Sequence, residues 1–322
     1  MRIVGVDGGA SSTRCLVVDE NGHILGYGVG GPSNHKAMRL QNACKEIFHS
    51  AFPGEEYPSV ESLCFGKAGI LREQVVEAIV KKYVNPKHLY ICGDMKIALA
   101  GASLGQPGIL VYAGTGANTY GVDEAGNEVQ VGGWGYLIDD EGAGYAIGRQ
   151  ALKQVFRAED GRGKPTILRE KLLLYFGCAT LRELLDKVYQ DEGLPRSEIA
   201  ALSKLVAEAA EEGDQVAQEI LAWAGRTLAE TAIVALRKLG KIDQTFVIYP
   251  AGGVFRAGRW ILEPFTEALH QGAPLAKVES PHFPPVVGAV FLALGILNLR
   301  PNDAFLNNLK NELGKIKWLN NY

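Results

Sequence analysis

The sequence predicts an α/β protein built from two related domains, and three features carry that prediction. A strand, tight loop and strand that open at Ile3 recur at Ile109. Strand-like and helix-like segments alternate after the first copy, which implies a sheet with flanking helices. No low-complexity segment or long linker interrupts the chain, and its 322 residues are enough for two domains, each with its own core.

The first copy begins with the apolar run Ile3 to Val6, which stops at Asp7-Gly8-Gly9. Arg14 to Asp19 resumes as a strand before the turn Glu20-Asn21-Gly22. Leu40 to Phe52 and Glu73 to Tyr83 have helical periodicity, while Val60 to Phe65 and His88 to Cys92 read as buried strands. The second copy follows about 105 residues after the first, a spacing that points to a duplicated fold. Ile109 to Ala113 is apolar, Gly114-Thr115-Gly116 turns, Asn118 to Val122 is strand-like, and Glu124-Ala125-Gly126-Asn127 makes a second hairpin turn.

From Gly144 to Leu239 the chain reads as mostly helical, with Ser197 and Asp214 as N-caps and Gly240 just past the last periodic residue. The helix from Gln215 puts Val216, Ile220, Trp223, Leu228 and Leu236 near one face, as a core-facing helix would. Phe246 to Tyr249 gives one more strand, ending in Pro250-Ala251-Gly252-Gly253. Trp260 to His270 is helical, Val286 begins the final helix, and the last dozen residues are expected to fray.

Composition narrows the function. With 47% hydrophobic and 21% charged residues and a net charge of -3, the chain has no basic field for nucleic acid, which favours small-molecule partners. The opening MRIVGVDGG lacks the apolar core of a secretory signal, and the apolar stretch Val286 to Leu299 is shorter than the roughly 20 residues that span a bilayer. A cytoplasmic protein is expected. Cys15, Cys44, Cys64, Cys92 and Cys178 show no metal-like spacing, and their odd number argues for reduced core thiols over a disulfide framework.

Several segments could carry chemistry. Asp7-Gly8-Gly9-Ala10-Ser11-Ser12-Thr13 puts a carboxylate at a strand end, then small residues and three hydroxyls. Such a loop is either a plain hairpin turn or a phosphate cradle whose carboxylate holds hydrated Mg2+. Gly114-Thr115-Gly116-Ala117-Asn118 offers the same chemistry without the carboxylate. The glycines of Ala251-Gly252-Gly253-Val254-Phe255 would let backbone approach a flat nucleoside. Neither the Walker pattern nor a strand-linked G-x-G-x-x-G is present, so a P-loop or dinucleotide fold is rejected. Asp94, where a strand ends and an Ala-rich helix begins, is either a helix N-cap or a general base. In Gly132-Gly133-Trp134-Gly135 and Asp139-Asp140-Glu141-Gly142, a flat indole followed by carboxylates suits a sugar. The alternatives are a core tryptophan and an acidic complement to a helix N-terminus.

In this order, DGGASST, Pro32-Ser33-Asn34-His35, Gly93-Asp94, AGTGAN, GGWG-x4-DEG from Gly132 to Gly142 and the late AGGVF resemble the N-acetylglucosamine kinase branch of the actin, sugar kinase and heat-shock ATPase superfamily. That branch is also called the BadF/BadG/BcrA/BcrD ATPase family, and the resemblance covers nearly the whole chain. It implies two ribonuclease-H-like (actin-like ATPase) domains with an ATP cleft between them, over residues 1–107 and 108–285, with a C-terminal helix of about 286–322 packed back on the first. It further implies phosphorylation of the 6-hydroxyl of a hexose or amino sugar, N-acetylglucosamine first, with Mg-ATP as donor and Asp94 as base. Asp7 would hold Mg2+ through water. Gly9, Ala10, Ser11, Ser12, Thr13, Thr115 and Gly116 would contact ATP phosphates, and Gly252 and Gly253 the nucleoside. Asn34, Asp94, Gly133, Trp134 and Asp140 would bind the sugar, and a homodimer is expected by the same resemblance. One departure is visible: Ala10 and Ser11 stand where these kinases usually have a third glycine and a threonine.

Three rivals remain at this level. A broad hexokinase or glucosamine kinase would share the 6-hydroxyl chemistry and differ only around C2 of the sugar. A dehydratase-activating ATPase would need cysteines for a 4Fe-4S cluster, yet Val111-Tyr112 precede the AGTG loop and Cys178 has no obvious partner. A non-catalytic sugar or nucleotide sensor is opposed by the presence of both Asp7 and Asp94.

Overall fold

In the computed structural model, residues 1–189 and 193–316 are described. Among them the strands form two five-stranded sheets. The chain divides into two units, residues 1–106 together with the described residues from 281 onward, and residues 107–280.

The first unit runs β1 (Ile3–Gly8), β2 (Thr13–Val18), β3 (Ile24–Gly30), α1 (Ala37–Ala51), β4 (Ser59–Lys67), α2 (Glu73–Val80), β5 (Asn85–Gly93) and α3 (Asp94–Ala102). Its sheet has the order β3-β2-β1-β4-β5. The hairpin strands pair antiparallel, β2 with both β1 and β3, while β1, β4 and β5 are parallel neighbours. Parallel strands need covered crossovers, which explains why β4 reads as a nearly continuous apolar run, with Leu63, Cys64 and Phe65 fully buried.

The second unit repeats this path. It runs β6 (Gly108–Ala113), β7 (Ala117–Val122), β8 (Glu128–Gly132), α4 (Gly144–Glu159), α5 (Leu168–Phe176), α6 (Leu181–Val188), α7 (Arg196–Glu211), α8 (Gln215–Lys238), β9 (Val247–Ala251), a 3-10 helix (Gly253–Ala257), α9 (Arg259–Gly272) and β10 (Lys277–Val278). Its sheet order is β10-β9-β6-β7-β8, again an antiparallel three-stranded meander extended by parallel strands. Asp214 caps α8 by accepting from Ala217 N. Val216, Ile220, Leu228 and Leu236 of that helix are buried, with Trp223 packed partly buried against the same core.

Two expectations about helix ends are corrected. Ser197 does not cap α7: Pro195 occupies that position, and its ring presets the backbone for entry while Ser197 already lies inside the helix. Val286 does not open the final helix. α10 (Pro285–Ile296) starts one residue earlier and ends before Asn298, which adopts a left-handed φ of 56°, and α11 (Asp303–Leu313) follows with Asn302 as its cap. A single helix over 286–322 is therefore not formed, and the parts of that helix and of the fraying segment expected beyond residue 316 lie outside the described residues.

α10 is buried around most of its circumference. Val286, Val287, Val290, Phe291 and Leu294 join Phe305 and Leu309 of α11 in one core cluster over the first sheet. Each such large apolar side chain contributes roughly 1.5–3 kcal/mol on burial. Its contact with α3 is backbone to backbone: a Cβ on Gly288 would sit 1.8 Å from Ile97 O and 2.3 Å from Gly101 N. That packing fixes α3, and with it Asp94. No helix among the described residues is long and apolar enough to cross a membrane.

Candidate active site

In the first unit the predicted residues collect at the carboxyl ends of the parallel strands, where ligands of such sheets bind. Asp7 ends the apolar part of β1, and Gly9 to Ser12 form a tight turn closed by Gly9 N donating to Ser12 O at 3.0 Å. Ala10 and Ser11 are exposed at the tip of this turn. Thr13 is different: it is fully buried in β2, and its hydroxyl donates to Gly31 O at 2.8 Å, tying the hairpin to the end of β3. The Pro32 to His35 turn packs on the loop, with Ser33 N donating to Gly9 O at 3.2 Å. His35 holds a left-handed φ of 60°, a strained setting for a residue with a side chain. Asn34 is 7% exposed, and its Oδ1 accepts no hydrogen bond.

Asp94 is the first residue of α3, following Gly93 as N-cap, and its Oδ1 accepts from Met95 N at 3.0 Å. Burial raises its pKa, against the lowering effect of backbone N–H groups and the Lys67 ammonium. Asp7 is half-buried at the end of the apolar run, and its pKa is pushed up to about 6, because desolvation and the Asp94 charge outweigh the nearby Arg14. Lys67 ends β4 between them, paired in register with Gly8 on one side and Gly93 on the other. The sheet thus sets two desolvated carboxyls at one edge, with β4 and its lysine between their strands.

In the second unit, the β6–β7 turn is closed by Gly114 N donating to Gly116 O at 2.9 Å. It is braced by the start of α4, where Gly144 N donates to Gly114 O and Tyr145 N to Thr115 O. Thr115 is exposed at its tip. Beside it, at the end of β9, Gly252 has φ 97°, and a Cβ there would meet Ala113 O at 2.3 Å, so only glycine fits. Next to Gly253 nothing lies within 4 Å of a built Cβ, which leaves its backbone open.

The segment after β8 builds a second cluster. Gly132, Gly133 and Gly135 have positive φ, and Ile138 and Asp139 both donate from their backbone N to Gly135 O. Trp134 is 77% exposed, which removes its reading as a core residue, and its N donates to Asp139 Oδ2 at 3.2 Å. Asp140 is 5% exposed with φ 62°, and its Oδ2 accepts from Arg196 Nη2 at 2.9 Å. Burial raises the Asp140 pKa, opposed by the Ala117 N–H and the Arg196 charge. Glu141 pairs with Arg149 at 3.5 Å, while its Oε2 is buried and accepts no hydrogen bond.

Sequence reasoning missed three parts of these clusters. Asn118 Oδ1 is buried without a hydrogen-bond donor, and a Cβ on Gly133 would lie 2.8 Å from the Asn118 side chain. Its place in AGTGAN was visible, its orphaned oxygen was not. Lys67 and Arg196 had no local signal, since each reaches its carboxylate only through the tertiary fold. Buried acceptors without donors are rare in folded proteins and mark places where a ligand hydroxyl or N–H completes the bonding.

The sequence profile of the BadF/BadG/BcrA/BcrD ATPase family matches residues 4–293. An N-acetylmuramic acid/N-acetylglucosamine kinase of Clostridium acetobutylicum is 29% identical over 299 residues, covering 90% of this chain and 97% of that protein. An N-acetyl-D-glucosamine kinase of Dictyostelium discoideum is 27% identical over 310 residues, with coverage of 90% and 97%. The crystal structure of a Chromobacterium violaceum protein provisionally named N-acetylglucosamine kinase superposes with a TM-score of 0.72 at 25% identity, over 91% of this chain and 98% of that one. The two repeated sheets are those of the actin-like ATPase fold.

Proposed function

Since the chain belongs to the BadF/BadG/BcrA/BcrD ATPase family, we propose that it is an ATP-dependent sugar kinase that phosphorylates the 6-hydroxyl of an amino sugar, N-acetylglucosamine first. The observation that carries this reading is the position of Asp94: a half-buried, desolvated carboxyl at the carboxyl end of a parallel strand, with a second such carboxyl, Asp7, at the same sheet edge.

Phosphoryl transfer asks a protein mainly for positioning and charge neutralisation. Asp94 accepts the proton of the 6-hydroxyl as that oxygen attacks the γ-phosphorus, and the bond to the ADP oxygen breaks. Desolvation of Asp94 suits this task, since a raised pKa makes it a better proton acceptor, while the neighbouring N–H groups favour its ionised form. The turn from Gly9 to Ser12, closed by the Gly9 N–H, presents the backbone N–H groups and hydroxyls of its tip to the phosphates, as do Thr115 and Gly116, and Gly252 and Gly253 leave room for the nucleoside. Asn34, Gly133, Trp134 and Asp140 bind the sugar, the indole as an apolar platform and the buried oxygens as acceptors for its hydroxyls.

Asp7 fits a hard cation, because a half-buried, desolvated carboxylate with its pKa pushed up to about 6 gains from a neighbouring positive charge. Mg2+ held there through water would neutralise charge on the phosphates. The reaction is assigned to the cytoplasm, where ATP is held.

ADP release measured with Mg-ATP against N-acetylglucosamine, N-acetylmuramic acid, glucosamine, glucose and mannose tests the reading. Turnover highest on an N-acetylated sugar supports it. Equal turnover on glucose and mannose favours the broad hexokinase, and no turnover on any of them removes the kinase reading.

A further inference from the structure

Asp140 is held by a residue that lies far from it in sequence. Arg196, the first residue of α7, donates from Nη2 to Asp140 Oδ2 at 2.9 Å, and its guanidinium stacks over the Tyr136 ring at 4.9 Å. The same pair fills the space beside the phosphate loop: a Cβ built on Gly116 would come within 2.5 Å of Asp140 Oδ2 and 2.6 Å of Arg196 Nη2. The nearby backbone N–H of Ala117 also favours the ionised form of Asp140. Three segments therefore meet on one guanidinium: the β6–β7 turn, the Trp134 to Asp140 turn and the start of α7.

This geometry has two physical consequences. A planar guanidinium with a fixed fork of donors can fix both the position and the orientation of a carboxylate, and it can stack on an aromatic ring at the same time, which an ammonium does poorly. A carboxylate that is 5% exposed would drift toward its neutral form without a cation beside it, and a neutral carboxyl accepts fewer hydrogen bonds from a sugar. The left-handed backbone at Asp140 is a strained conformation that persists only where its surroundings hold it.

We propose that Arg196 is a positioning residue for sugar binding, holding the Asp140 carboxylate ionised and fixed against the Gly116–Ala117 turn. The inference rests on the reading that Asp140 meets the sugar. It assigns Arg196 no contact with the reacting atoms. Its removal therefore acts on sugar affinity and on the pH dependence of that affinity more than on the transfer step.

The test is steady-state kinetics of Arg196→Gln, Arg196→Ala and Asp140→Asn across pH, with melting temperatures to confirm folding and N-acetylglucosamine as the varied substrate. Arg196→Gln should raise the sugar KM by about tenfold or more while kcat stays within about threefold. The acid limb of kcat/KM should move to higher pH, because the cation that favours the ionised carboxyl is gone. Ethylguanidinium ion in solution should restore part of the affinity to Arg196→Ala. If Asp140→Asn weakens sugar binding and the Arg196 variants keep the wild-type KM, the inference fails and the reading of Asp140 stands. If Asp140→Asn leaves KM unchanged, the reading of Asp140 fails and the inference with it. A raised KM with an unmoved acid limb and no response to ethylguanidinium would make Arg196 a structural residue only, which also overturns the proposal.

Discussion

The charge of Asp94 raises the proton affinity of Asp7, which desolvation already raises at a strand end of the same sheet. The first unit therefore stores an unfavourable carboxylate at the end of β1, and that storage has a pH signature. The folded protein holds the Asp7 proton up to about pH 6, whereas an ordinary aspartate releases it near 3.8. The folded state thus binds more protons between those values, and stability falls as pH rises through that window.

Asp7→Asn removes this penalty. By linkage, a shift of about two units corresponds to roughly 3 kcal/mol at most. The variant should melt higher than the wild type at pH 8 in metal-free buffer, and the gain should shrink to nothing near pH 4. Melting temperatures of the two proteins between pH 4 and 8 check this, and a constant difference across the range contradicts it.

Asn34 keeps a buried oxygen without a donor in the ligand-free protein. A buried, unsatisfied acceptor is unfavourable by about 1–3 kcal/mol, so Asn34→Ala should leave ligand-free stability within about 1 kcal/mol of wild type, while saturating sugar should no longer raise its melting temperature. A variant that melts much lower but keeps the full sugar-induced rise would show that Asn34 serves the fold.

Trp134 projects from its turn with little packing of its own. Trp134→Ala should therefore change stability by less than about 0.5 kcal/mol, as exposed substitutions usually do, and raise the sugar KM about tenfold or more through loss of the platform. Denaturant unfolding together with kinetics on the same sample separates the two effects, and an unchanged KM removes Trp134 from the sugar site.

Gly288→Ala tests how Asp94 is positioned. The added methyl would overlap Ile97 O and Gly101 N of α3, which are backbone and cannot rotate away. Overpacking of this kind is destabilising by about 1–3 kcal/mol. The expected result is lower stability together with reduced kcat, since α3 carries Asp94 on its first residue. A normal kcat in a destabilised variant would show that α3 tolerates the shift.

Much of the fold was legible because its signals are local. Asp7-Gly8-Gly9, Asn21-Gly22 and Gly126-Asn127 break apolar runs at the hairpins, and period-two and buried runs mark the strands between them. The helix starts were harder: Ser197 is a good capping residue, but Pro195 two positions earlier already fixes the entry to α7. The break between α10 and α11 lies at Asn298 and Pro301, which the apolar stretch Val286 to Leu299 conceals. At the candidate site, residue types and spacing named the loops and Asp94. The desolvation of Asp7, the strained backbone of Asp140 and its guanidinium partner depend on segments brought together by folding, and no window along the chain contains them.

The central claim, that Asp94 is the base of a sugar kinase, is tested most directly by comparing Asp94→Asn with the wild type in two assays on one preparation: ADP release with N-acetylglucosamine, and calorimetric binding of the same sugar. A general-base role predicts a loss of about 10²- to 10⁴-fold in kcat, the usual contribution of such a group, with sugar still bound. Turnover within a few-fold of wild type in a variant that binds sugar normally would contradict it.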